Sequence, residues 1–520
     1  MRFGHLLIEF GVQEVHVKIP KRLVNLRRNP LIWAFPLQAL LLLSALDLLD
    51  PWGDEWFTLL TVPRPVSQVL SAVAANIHPP LYFVLLHYWI QLPWTLSPVS
   101  SMRAMSAAWA LVATVVIYFL WLRQEGFPFR AKFLALWALS PCLLLHARMA
   151  RSYSMQLALA SFAIYSAPRW AEQPRNWKWL LAYVGSSIAL LYTHYLPGLA
   201  VSGAVCVMFL FQKRFKLAAA QVAMLAVLYS PWVPTLISVL RRWNWIGIPP
   251  SYEGGNVISD QIVRLAYLFV SFSFGETFST VSFLLSIALT PVIAYAVWRA
   301  LGTRPTWTPI VLIAGGIAWI AGSRFEQFVF IPNHLIFVLP FFLILIVREL
   351  KPLAFAVLLV IYAGADYAYF TRSDFLVKPY AAPYKEMADL IRERSRGQNA
   401  LVAVDPNGVW LSLLNRLGDG VRVISLDNET SAREVLEAAR SGPSGPSEIL
   451  LWRRTDISPD SFVTKLEQDL RVGREVWQRD FVAYSLPERW ARRFLRGPGQ
   501  SGYYYRLTEF RDASRPEIPK

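Results

Sequence analysis

Cysteine is nearly absent from this chain of 520 residues, and its scarcity excludes several classes of protein. The two cysteines, Cys142 and Cys206, both lie inside apolar runs. A disulfide framework would need more pairs, and no Cys/His spacing typical of a zinc site is present. Both thiols are therefore predicted to be buried and free.

Charge is also scarce, because charged residues make up 17% of the chain and hydrophobic residues 55%. This composition is too apolar for a water-soluble protein of this size, and it predicts a polytopic α-helical membrane protein. The apolar segments lie almost entirely within residues 31–370. Residues 371–520 have the composition of a soluble domain.

The excess of positive charge does not require a nucleic-acid partner. Much of the net charge of +16 is explained by Lys and Arg in short loops that stay in the cytosol, and attraction to anionic membrane lipids is a further use. The N-terminus lacks a cleavable signal pattern, and residues 1–30 carry basic side chains such as Lys18, Lys21 and Arg27. This pattern predicts an uncleaved anchor with a cytosolic N-terminus.

A membrane span needs about 20 apolar residues, and the hydropathy pattern predicts eleven spans, with thirteen as the upper count. The predicted spans are residues 31–49, 103–122, 131–147, 152–168, 178–194, 196–211, 216–238, 280–298, 307–322, 334–347 and 352–370.

The segment 79–98 decides the predicted topology. It is apolar but contains His87, Gln91 and Pro93. If it does not cross, the later basic loops all fall on the cytosolic side, as the positive-inside rule expects. We therefore predict that 79–98 is interfacial or re-entrant, and that 262–274 is similar. The C-terminal domain is then external, which in a bacterial inner membrane means periplasmic.

Two adjacent carboxylates follow the first predicted span, in the run Gly53-Asp54-Glu55-Trp56. The run His78-Pro-Pro-Leu-Tyr82 comes some two dozen residues later. Acidic side chains at a membrane are costly to place and are functional candidates. Acids also favour a helix N-terminus, so the pair could instead cap the helix that follows.

Further polar residues gather on the same predicted external face, which favours a single active cavity there. They are Arg103, His146, Arg148, Arg151, His194, Arg241, Arg242, Glu253, Glu276, Arg324 and His334.

The C-terminal part alternates between strand-like and helix-like runs. Apolar runs at Leu401–Val404, Val421–Ile424 and Glu448–Trp452 are separated by helical patterns at 409–416 and 430–440. This alternation predicts a small α/β domain with a mostly parallel sheet. The tail from Gly497 onward is predicted to be loosely ordered.

Several of these runs together resemble the GT-C glycosyltransferases, polytopic enzymes related to the protein O-mannosyltransferases and the lipid A aminoarabinose transferase. The resemblance rests on the acidic pair, on the His78-Pro-Pro-Leu-Tyr82 run and on Arg151-Ser-Tyr153 at the start of a later span. Thr193-His194-Tyr195 and Pro332-Asn333-His334 are similar to the family as well. The resemblance covers roughly residues 30–370.

The resemblance implies a polyprenyl-phosphate-linked sugar as donor, an acceptor that is a lipid, glycan or protein, and transfer with inversion on the non-cytosolic face. It implies that Asp54 is the catalytic base and that Glu55 orients it or the sugar. The residues expected to bind the donor and its phosphate are His78, Arg148, Arg151, Tyr153, Arg324 and His334. Those expected to contact the acceptor or sugar are Tyr82, His194, Trp243 and Glu276.

The chain departs from the family pattern at two positions. Many relatives carry an acid two residues before the Arg-x-Tyr arginine, where this chain has Met149. This departure counts against a metal site shared between the first and second external loops. A divalent cation such as Mg²⁺ or Mn²⁺, held by Asp54 or Glu55, is left as an alternative. Where relatives often have Arg-Tyr before a late span, this chain has Asn333-His334, and Arg324 or His334 could supply the cationic contact.

Two other functions remain as alternatives. A transporter or flippase of lipid-linked glycans would be expected to show internal repeats and charges at mid-span. The sequence has no evident repeat, and its in-span acids, Asp47 and Asp366, lie near predicted span ends. A noncatalytic scaffold of the cell envelope is the other alternative.

Overall fold

The computed structural model describes residues 29–245, 257–303, 307–325, 331–395, 400–405, 410–417, 421–441, 446, 448–455, 461–496 and 501–512. The basic N-terminal residues Lys18, Lys21 and Arg27 lie outside these ranges, so the predicted cytosolic N-terminus stays a prediction.

The first part of the chain is helical. Its helices are α1 Leu31–Leu43, α2 Gly53–Thr61, α3 Val66–Ala75, α4 Leu81–Ile90, α5 Pro98–Ile117, α6 Phe127–Ala138, α7 Pro141–Ala147, α8 Tyr153–Glu172, α9 Trp177–Leu191, α10 Tyr195–Phe211, α11 Phe215–Tyr229, α12 Val233–Trp245, α13 Val257–Phe274, α14 Thr280–Gly302, α15 Thr308–Phe325, α16 Ile331–His334, α17 Leu339–Glu349 and α18 Pro352–Phe370. A π-helical turn, Tyr118–Leu122, extends α5, and 3₁₀ turns at Ser230–Trp232 and Ile336–Val338 connect neighbouring helices.

Several of these helices are long and apolar enough to cross a membrane. Within the described residues, four helical stretches meet this criterion: Pro98–Leu122, Phe215–Arg241, Thr280–Gly302 and Pro352–Phe370. The pair α6 and α7, bent by 49°, would make a fifth span if it crosses as one unit. The chain is thus an integral membrane protein by the length and composition of its helices.

The prediction of eleven spans stays a prediction. A helix lies in each predicted segment, but several are short, and α9 with 15 residues is only about 22 Å long. The segment 79–98 contains only the 10-residue helix α4, which at about 15 Å is too short to cross a hydrocarbon core of about 30 Å. The segment 262–274 is part of the longer helix α13.

Local chemistry sets where several helices begin. Ser97 accepts a hydrogen bond from the amide of Ser100 at the start of α5, and Pro98 occupies the first turn, where its missing N–H is not needed. Ser140 caps α7 through the amide of Leu143 in the same way. Helix α10 is capped by a histidine, His194, whose Nδ1 accepts from the amide of Leu196.

The C-terminal part is a five-stranded sheet flanked by helices. Its elements are a 3₁₀ turn Lys378–Ala381, α19 Tyr384–Ser395, β1 Ala400–Val404, α20 Trp410–Leu417, β2 Arg422–Ser425, α21 Glu429–Arg440, β3 Glu448–Arg454, α22 Ser461–Arg471, β4 Arg474–Ala483, α23 Leu486–Arg496 and β5 Tyr503–Asp512. The strand order is β2-β1-β3-β5-β4.

The alternation of side chains along the sheet buries both of its faces. Val402 and Val404 of β1 pack with Leu413 of α20 on one face. Leu401 packs with Val435 of α21 on the other face. The two helical patterns predicted at 409–416 and 430–440 are confirmed by α20 and α21.

Two features of this domain correct the sequence analysis. The sheet is mixed, because β1 pairs in parallel with β2 and β3 whereas β5 pairs antiparallel with β3 and β4. The prediction that the tail from Gly497 is loosely ordered is wrong for residues 503–512, which form the inner strand β5. Leu507 and Phe510 of this strand are fully buried, so burial between two neighbouring strands stabilises a segment that looked like a tail.

The C-terminal domain contacts the segment between α1 and α2. Asp50 accepts hydrogen bonds from Arg416 Nη2 at 2.8 Å and from the amide of Lys385 at 2.9 Å. Trp52 packs edge-on against Tyr380 with ring centroids 5.1 Å apart. These contacts fix the N-terminus of α2, where the acidic pair lies, against the domain.

Candidate active site

The acidic pair lies in the first turn of α2, which begins at Gly53 after the extended residue Trp52. Carboxylates are favoured at this end of a helix because the unpaired amides and the helix dipole make it positive. Successive helical residues differ by about 100° in direction, so the two carboxylates point to different surroundings. The side chain of Asp54 is 46% exposed, whereas that of Glu55 is 2% exposed.

Glu55 is a buried anchor between three segments. Its Oε1 and Oε2 accept hydrogen bonds from Nε and Nη2 of Arg103 at 2.8 and 2.7 Å. Arg103 also donates through Nη1 to the carbonyl oxygens of Leu46 and Leu49. The amide of Ala150 donates to Oε1 of Glu55 at 2.8 Å. Glu55 therefore ties α2 to α5 and to the turn before Arg151, and its oxygens are not directed at a ligand.

Asp54 faces a buried arginine. Oδ2 of Asp54 lies 3.6 Å from Nη2 of Arg151, and Arg151 Nη1 donates to the backbone oxygen of Asp54 at 3.3 Å. Nη2 also donates to Nε2 of His78 at 3.1 Å, which requires an unprotonated Nε2. The hydroxyl of Ser106 donates to the backbone oxygen of Arg151 and holds this turn in place.

Two further histidines meet beside this group. Nδ1 of His194 accepts from the amide of Leu196, so the ring proton of a neutral His194 lies on Nε2. Nε2 of His194 lies 3.0 Å from Nδ1 of His334 and donates to it. The ring of Tyr153 packs edge-on against His334, with centroids 6.2 Å apart. The histidines come from separate parts of the chain and meet only in the folded molecule.

The histidine environment disfavours the protonated form. Burial, followed by the charge of Arg151, lowers the pKa of His78 well below its usual range. Burial, followed by the proximity of His334, lowers the pKa of His194 in the same direction. Both imidazoles are therefore neutral at pH 7, and an anion placed among them would favour their protonation.

These groups line one cavity of about 370 Å³. Its polar end carries Asp54, His78, Arg151, His194 and His334. Its remaining wall is largely apolar and comes mainly from α10 and α12, through Leu196, Leu199, Leu236, Val239 and Leu240. The cavity thus combines a cationic and hydrogen-bonding head with a hydrocarbon-lined extension.

Arg148 and Glu276 lie away from this cavity, in contrast to the roles expected from the sequence. Arg148 donates to Tyr369 Oη and to backbone oxygens of Leu41 and Ala45, so it joins helices of the bundle. Nothing in this arrangement directs its guanidinium toward the cavity that Asp54 lines.

Glu276 belongs to a second buried cluster. It accepts from His146 Nε2 at 3.0 Å, from Ser271 Oγ at 2.9 Å and from Tyr267 Oη at 2.7 Å. Although burial alone would raise it, the pKa of Glu276 is held below its usual range by His146 and these hydrogen bonds. Through these hydrogen bonds the carboxylate of Glu276 connects His146 of α7 with Tyr267 and Ser271 of α13.

The remaining predicted site residues fall into two groups. Tyr82 and Tyr153 are buried and do not line the cavity, and Tyr82 Oη pairs with Ser106 Oγ at 2.7 Å. They support the turn that carries Arg151. The side chains of Arg324 and Trp243 lie outside what the structure describes, so their expected roles stay predictions.

Two parts of the site were missed by the sequence analysis. Arg103 was noted only as an external polar residue, although it is the partner of Glu55. The apolar wall from Leu236, Val239 and Leu240 was assigned no role. Its spacing of three and four residues was a readable signal, since such a spacing places side chains on one helix face.

Comparison with known proteins identifies the fold. The crystal structure of ArnT from Cupriavidus metallidurans bound to undecaprenyl phosphate has a TM-score of 0.52 and 13% identity, covering 96% of this chain and 100% of that chain. The apo structure of the same ArnT has a TM-score of 0.50 and 13% identity, covering 94% and 98%. No protein-family model and no curated protein match the sequence. The predicted resemblance to the GT-C glycosyltransferases is thus confirmed at the level of the fold.

Proposed function

We propose that this protein is a glycosyltransferase of the GT-C type, which transfers a sugar from a polyprenyl-phosphate donor to an acceptor on the non-cytosolic face of the membrane. One observation carries the proposal. A carboxylate, Asp54, and a buried guanidinium, Arg151, lie 3.6 Å apart at the polar end of a cavity with apolar walls. The similarity in fold to ArnT, whose structure holds undecaprenyl phosphate, supports the same class of ligand.

The proposed transfer is a single displacement. A hydroxyl oxygen of the acceptor attacks the anomeric carbon while Oδ of Asp54 takes the hydroxyl proton. The bond between the anomeric carbon and the phosphate oxygen breaks, and its electron pair stays on the phosphate. One displacement inverts the anomeric configuration and requires one base. Asp54 is about half exposed and lines the cavity, so its carboxylate is available for this role. The carboxylate of Glu55 is buried in a salt bridge with Arg103.

The departing phosphate gains negative charge, and Arg151 is the group placed to stabilise it. Its guanidinium lies at the polar end of the cavity and already donates to His78. Charge-assisted hydrogen bonds from arginine to phosphate are stronger than neutral ones, and they cost no rearrangement when the donors are held in advance. His78, His194 and His334 supply further ring nitrogens around the same space.

The apolar wall of the cavity fits the lipid part of the donor. Leu199 of α10 and Leu240 of α12 line the cavity and are also 51% and 44% exposed, so the wall reaches the surface of the helical bundle. A polyprenyl chain entering along this wall would bury apolar surface at about 25 cal/mol per Å². The phosphate would then lie at the end where Arg151 is found.

The residues present do not fit a Mg²⁺ or Mn²⁺ ion. Such ions are usually held by one or two carboxylates together with substrate phosphates, but both oxygens of Glu55 are taken by Arg103 and the amide of Ala150, and the carboxylate of Asp54 faces the cation Arg151. Throughout the described ranges, no group of three or more His, Cys, Asp or Glu side chains could hold a metal. We therefore assign neutralisation of the phosphate to Arg151 and the histidines, and no step to a metal.

The test is a transfer assay with purified full-length protein in lipid nanodiscs and a panel of polyprenyl-phosphate sugars. Consumption of one donor by the unchanged protein, and its loss in Asp54→Asn with donor binding retained, is the expected result. Asp427→Asn is the matched control, because Asp427 lies in the C-terminal domain, where it accepts a hydrogen bond from the hydroxyl of nearby Ser425. The same assay in excess EDTA is expected to give an unchanged rate.

Each alternative predicts a different result. A flippase would move the donor across the bilayer without consuming it, and Asp54→Asn would leave the donor chemically intact as before. A scaffold would neither bind nor consume any donor. Full transfer activity in Asp54→Asn would refute Asp54 as the base, and a rate that EDTA abolishes would refute the metal-free assignment.

A further inference from the structure

Helix α23, Leu486–Arg496, presents an unusual surface for a domain outside a bilayer. Leu486, Trp490 and Phe494 are spaced four residues apart, so they form one stripe along the helix. Their exposed fractions are 52%, 72% and 89%. A contiguous exposed apolar stripe on a soluble domain marks an interaction surface.

The opposite side of α23 fixes the orientation of this stripe. Glu488 accepts from Lys378 Nζ at 2.6 Å and from the amide and hydroxyl of Ser485. The guanidinium of Arg492 lies over the ring of Tyr484, 4.2 Å from its centroid. Both contacts hold one face of the helix against the domain. Because the opposite face of α23 is held against the domain, the apolar stripe faces away from the domain.

The position of α23 places this stripe at the end of two spans. Lys378, its salt-bridge partner, lies shortly after the end of α18 at Phe370. The segment between Phe370 and Lys378 is joined to the residues just before α14. The amide of Phe278 donates to the backbone oxygen of Asp374, and Thr277 forms an isolated antiparallel β-bridge with Phe375. Helix α23 also contacts α14 directly. Both α14 and α18 are candidate membrane spans.

Basic side chains flank the apolar stripe. Arg489 and Arg493 are exposed, and at 100° per residue they lie along one edge of the stripe formed by Leu486, Trp490 and Phe494. No acidic residue occurs on that edge, since Glu488 faces Lys378 on the other side. An apolar stripe containing Trp and Phe, bordered by arginines, is typical of a helix that lies in the plane of a membrane interface.

We propose that the outward face of α23 lies in the headgroup region of the leaflet from which α14 and α18 emerge. Trp490 and Phe494 insert at the boundary with the acyl chains, and Arg489 and Arg493 bind the phosphates of anionic phospholipids. Because the same domain holds Asp50 through Arg416, this contact fixes the domain at two places, one on the membrane and one beside α2.

The arginines beside the stripe and its position near the ends of α14 and α18 favour a lipid bilayer over a protein as its partner. A protein-binding site of this composition could lie anywhere on the domain, whereas this stripe lies next to the ends of two spans. Outside a bilayer, Leu486, Trp490 and Phe494 would leave a large part of their apolar surface in water. Anionic headgroups satisfy the arginines and the acyl boundary satisfies the aromatics at the same time.

The test places a fluorescent probe on the stripe of the full-length protein in nanodiscs. Cys142 and Cys206 are first replaced by Ala, and Phe494→Cys is labelled with an environment-sensitive fluorophore. Val472→Cys is the control, because Val472 belongs to the same domain and is 79% exposed. Quenching is measured with aqueous iodide and with a phospholipid carrying a nitroxide near its headgroup, in nanodiscs with and without anionic lipid.

The expected result is that the nitroxide lipid quenches the probe at position 494 severalfold more strongly than the probe at 472, and that iodide shows the reverse order. Arg489→Glu and Arg493→Glu should each make the probe at 494 more accessible to iodide. When anionic lipid is present, each change should lower the ratio of membrane-bound to unbound C-terminal domain by about fivefold. Equal access of iodide to both positions would overturn the proposal. Protection of position 494 from both quenchers would also overturn it, since protein and not lipid would then cover the stripe.

Discussion

Arg103 holds Glu55 by two parallel hydrogen bonds of 2.8 and 2.7 Å and so turns this carboxylate away from the cavity that its neighbour Asp54 lines. The two acids are adjacent in sequence, yet one is 2% exposed and the other 46%. We therefore expect a change at Glu55 to affect mainly stability and a change at Asp54 to affect mainly activity.

Glu55→Gln should destabilise the protein by about 3–5 kcal/mol, because it leaves the buried Arg103 without its charge partner. Thermal unfolding of the detergent-solubilised protein measures this effect. Glu434→Gln is the control, since the Glu434–Arg422 pair is more than half exposed and should change stability by less than about 1 kcal/mol. Asp54→Asn should lower stability much less, because Asp54 is 46% exposed and its contact with Arg151 is 3.6 Å long. If Glu55→Gln were as stable as the unchanged protein, the anchoring role of Glu55 would be contradicted.

Arg151→Gln should weaken donor binding by about 2 kcal/mol, or roughly thirtyfold in Kd, because a charge-assisted contact to the phosphate is lost. Titration with a polyprenyl-phosphate sugar in nanodiscs measures the change. Arg169→Gln is the control, because Arg169 lies in the last turn of α8, the helix that begins two residues after Arg151, and is about 25 Å away. Equal affinities for the two variants would show that Arg151 does not contact the phosphate.

The unliganded protein should lose stability as the pH falls below about 6.5. The pKa values of His78 and His194 are lowered in the folded state, so the unfolded chain binds more protons in the window between those lowered values and about 6.5. Their contribution to stability is therefore full above that window and is lost as the pH falls through it. Thermal unfolding between pH 7.5 and 5.5 measures the slope.

Two comparisons test the origin of this pH dependence. His78→Gln and His194→Gln should each flatten the slope relative to the unchanged protein. A polyprenyl-phosphate ligand should stabilise the protein more at pH 6 than at pH 8, because a bound anion favours protonated imidazoles. A ligand effect that is larger at pH 8 would argue against a phosphate among these histidines.

Arg416→Ala should lower kcat by roughly three- to tenfold with little change in the KM for the donor, because the contact of Arg416 with Asp50 holds the N-terminus of α2 and hence Asp54. Steady-state kinetics at saturating donor separates the two parameters. Arg433→Ala is the control, since Arg433 is exposed on α21 in the same domain. A rise in KM with kcat unchanged would instead indicate that the domain takes part in donor binding.

Much of the fold follows from composition and periodicity. Apolar runs within residues 31–370 form helices because a helix satisfies all of its backbone hydrogen bonds internally, which a lipid environment demands. The number of spans is not fixed in this way, since helices of 10 to 15 residues, such as α4 and α9, can cross, tilt or lie at an interface depending on their neighbours. The strand β5 was missed because its burial depends on pairing with β3 and β4.

The sequence by itself determined that this is a helical membrane protein with an acidic pair after its first apolar segment and an α/β domain at its end. These features depend on local hydropathy and spacing, which a linear chain displays directly. Only the tertiary structure decided which carboxylate faces the cavity, since that choice depends on Arg103, 48 positions after Glu55. It also decided that Arg148 and Glu276 bind within the bundle while His194 and His334, 140 positions apart, meet beside Arg151. The partner of a buried charge is set by packing between distant segments, because only that packing removes the charge from water.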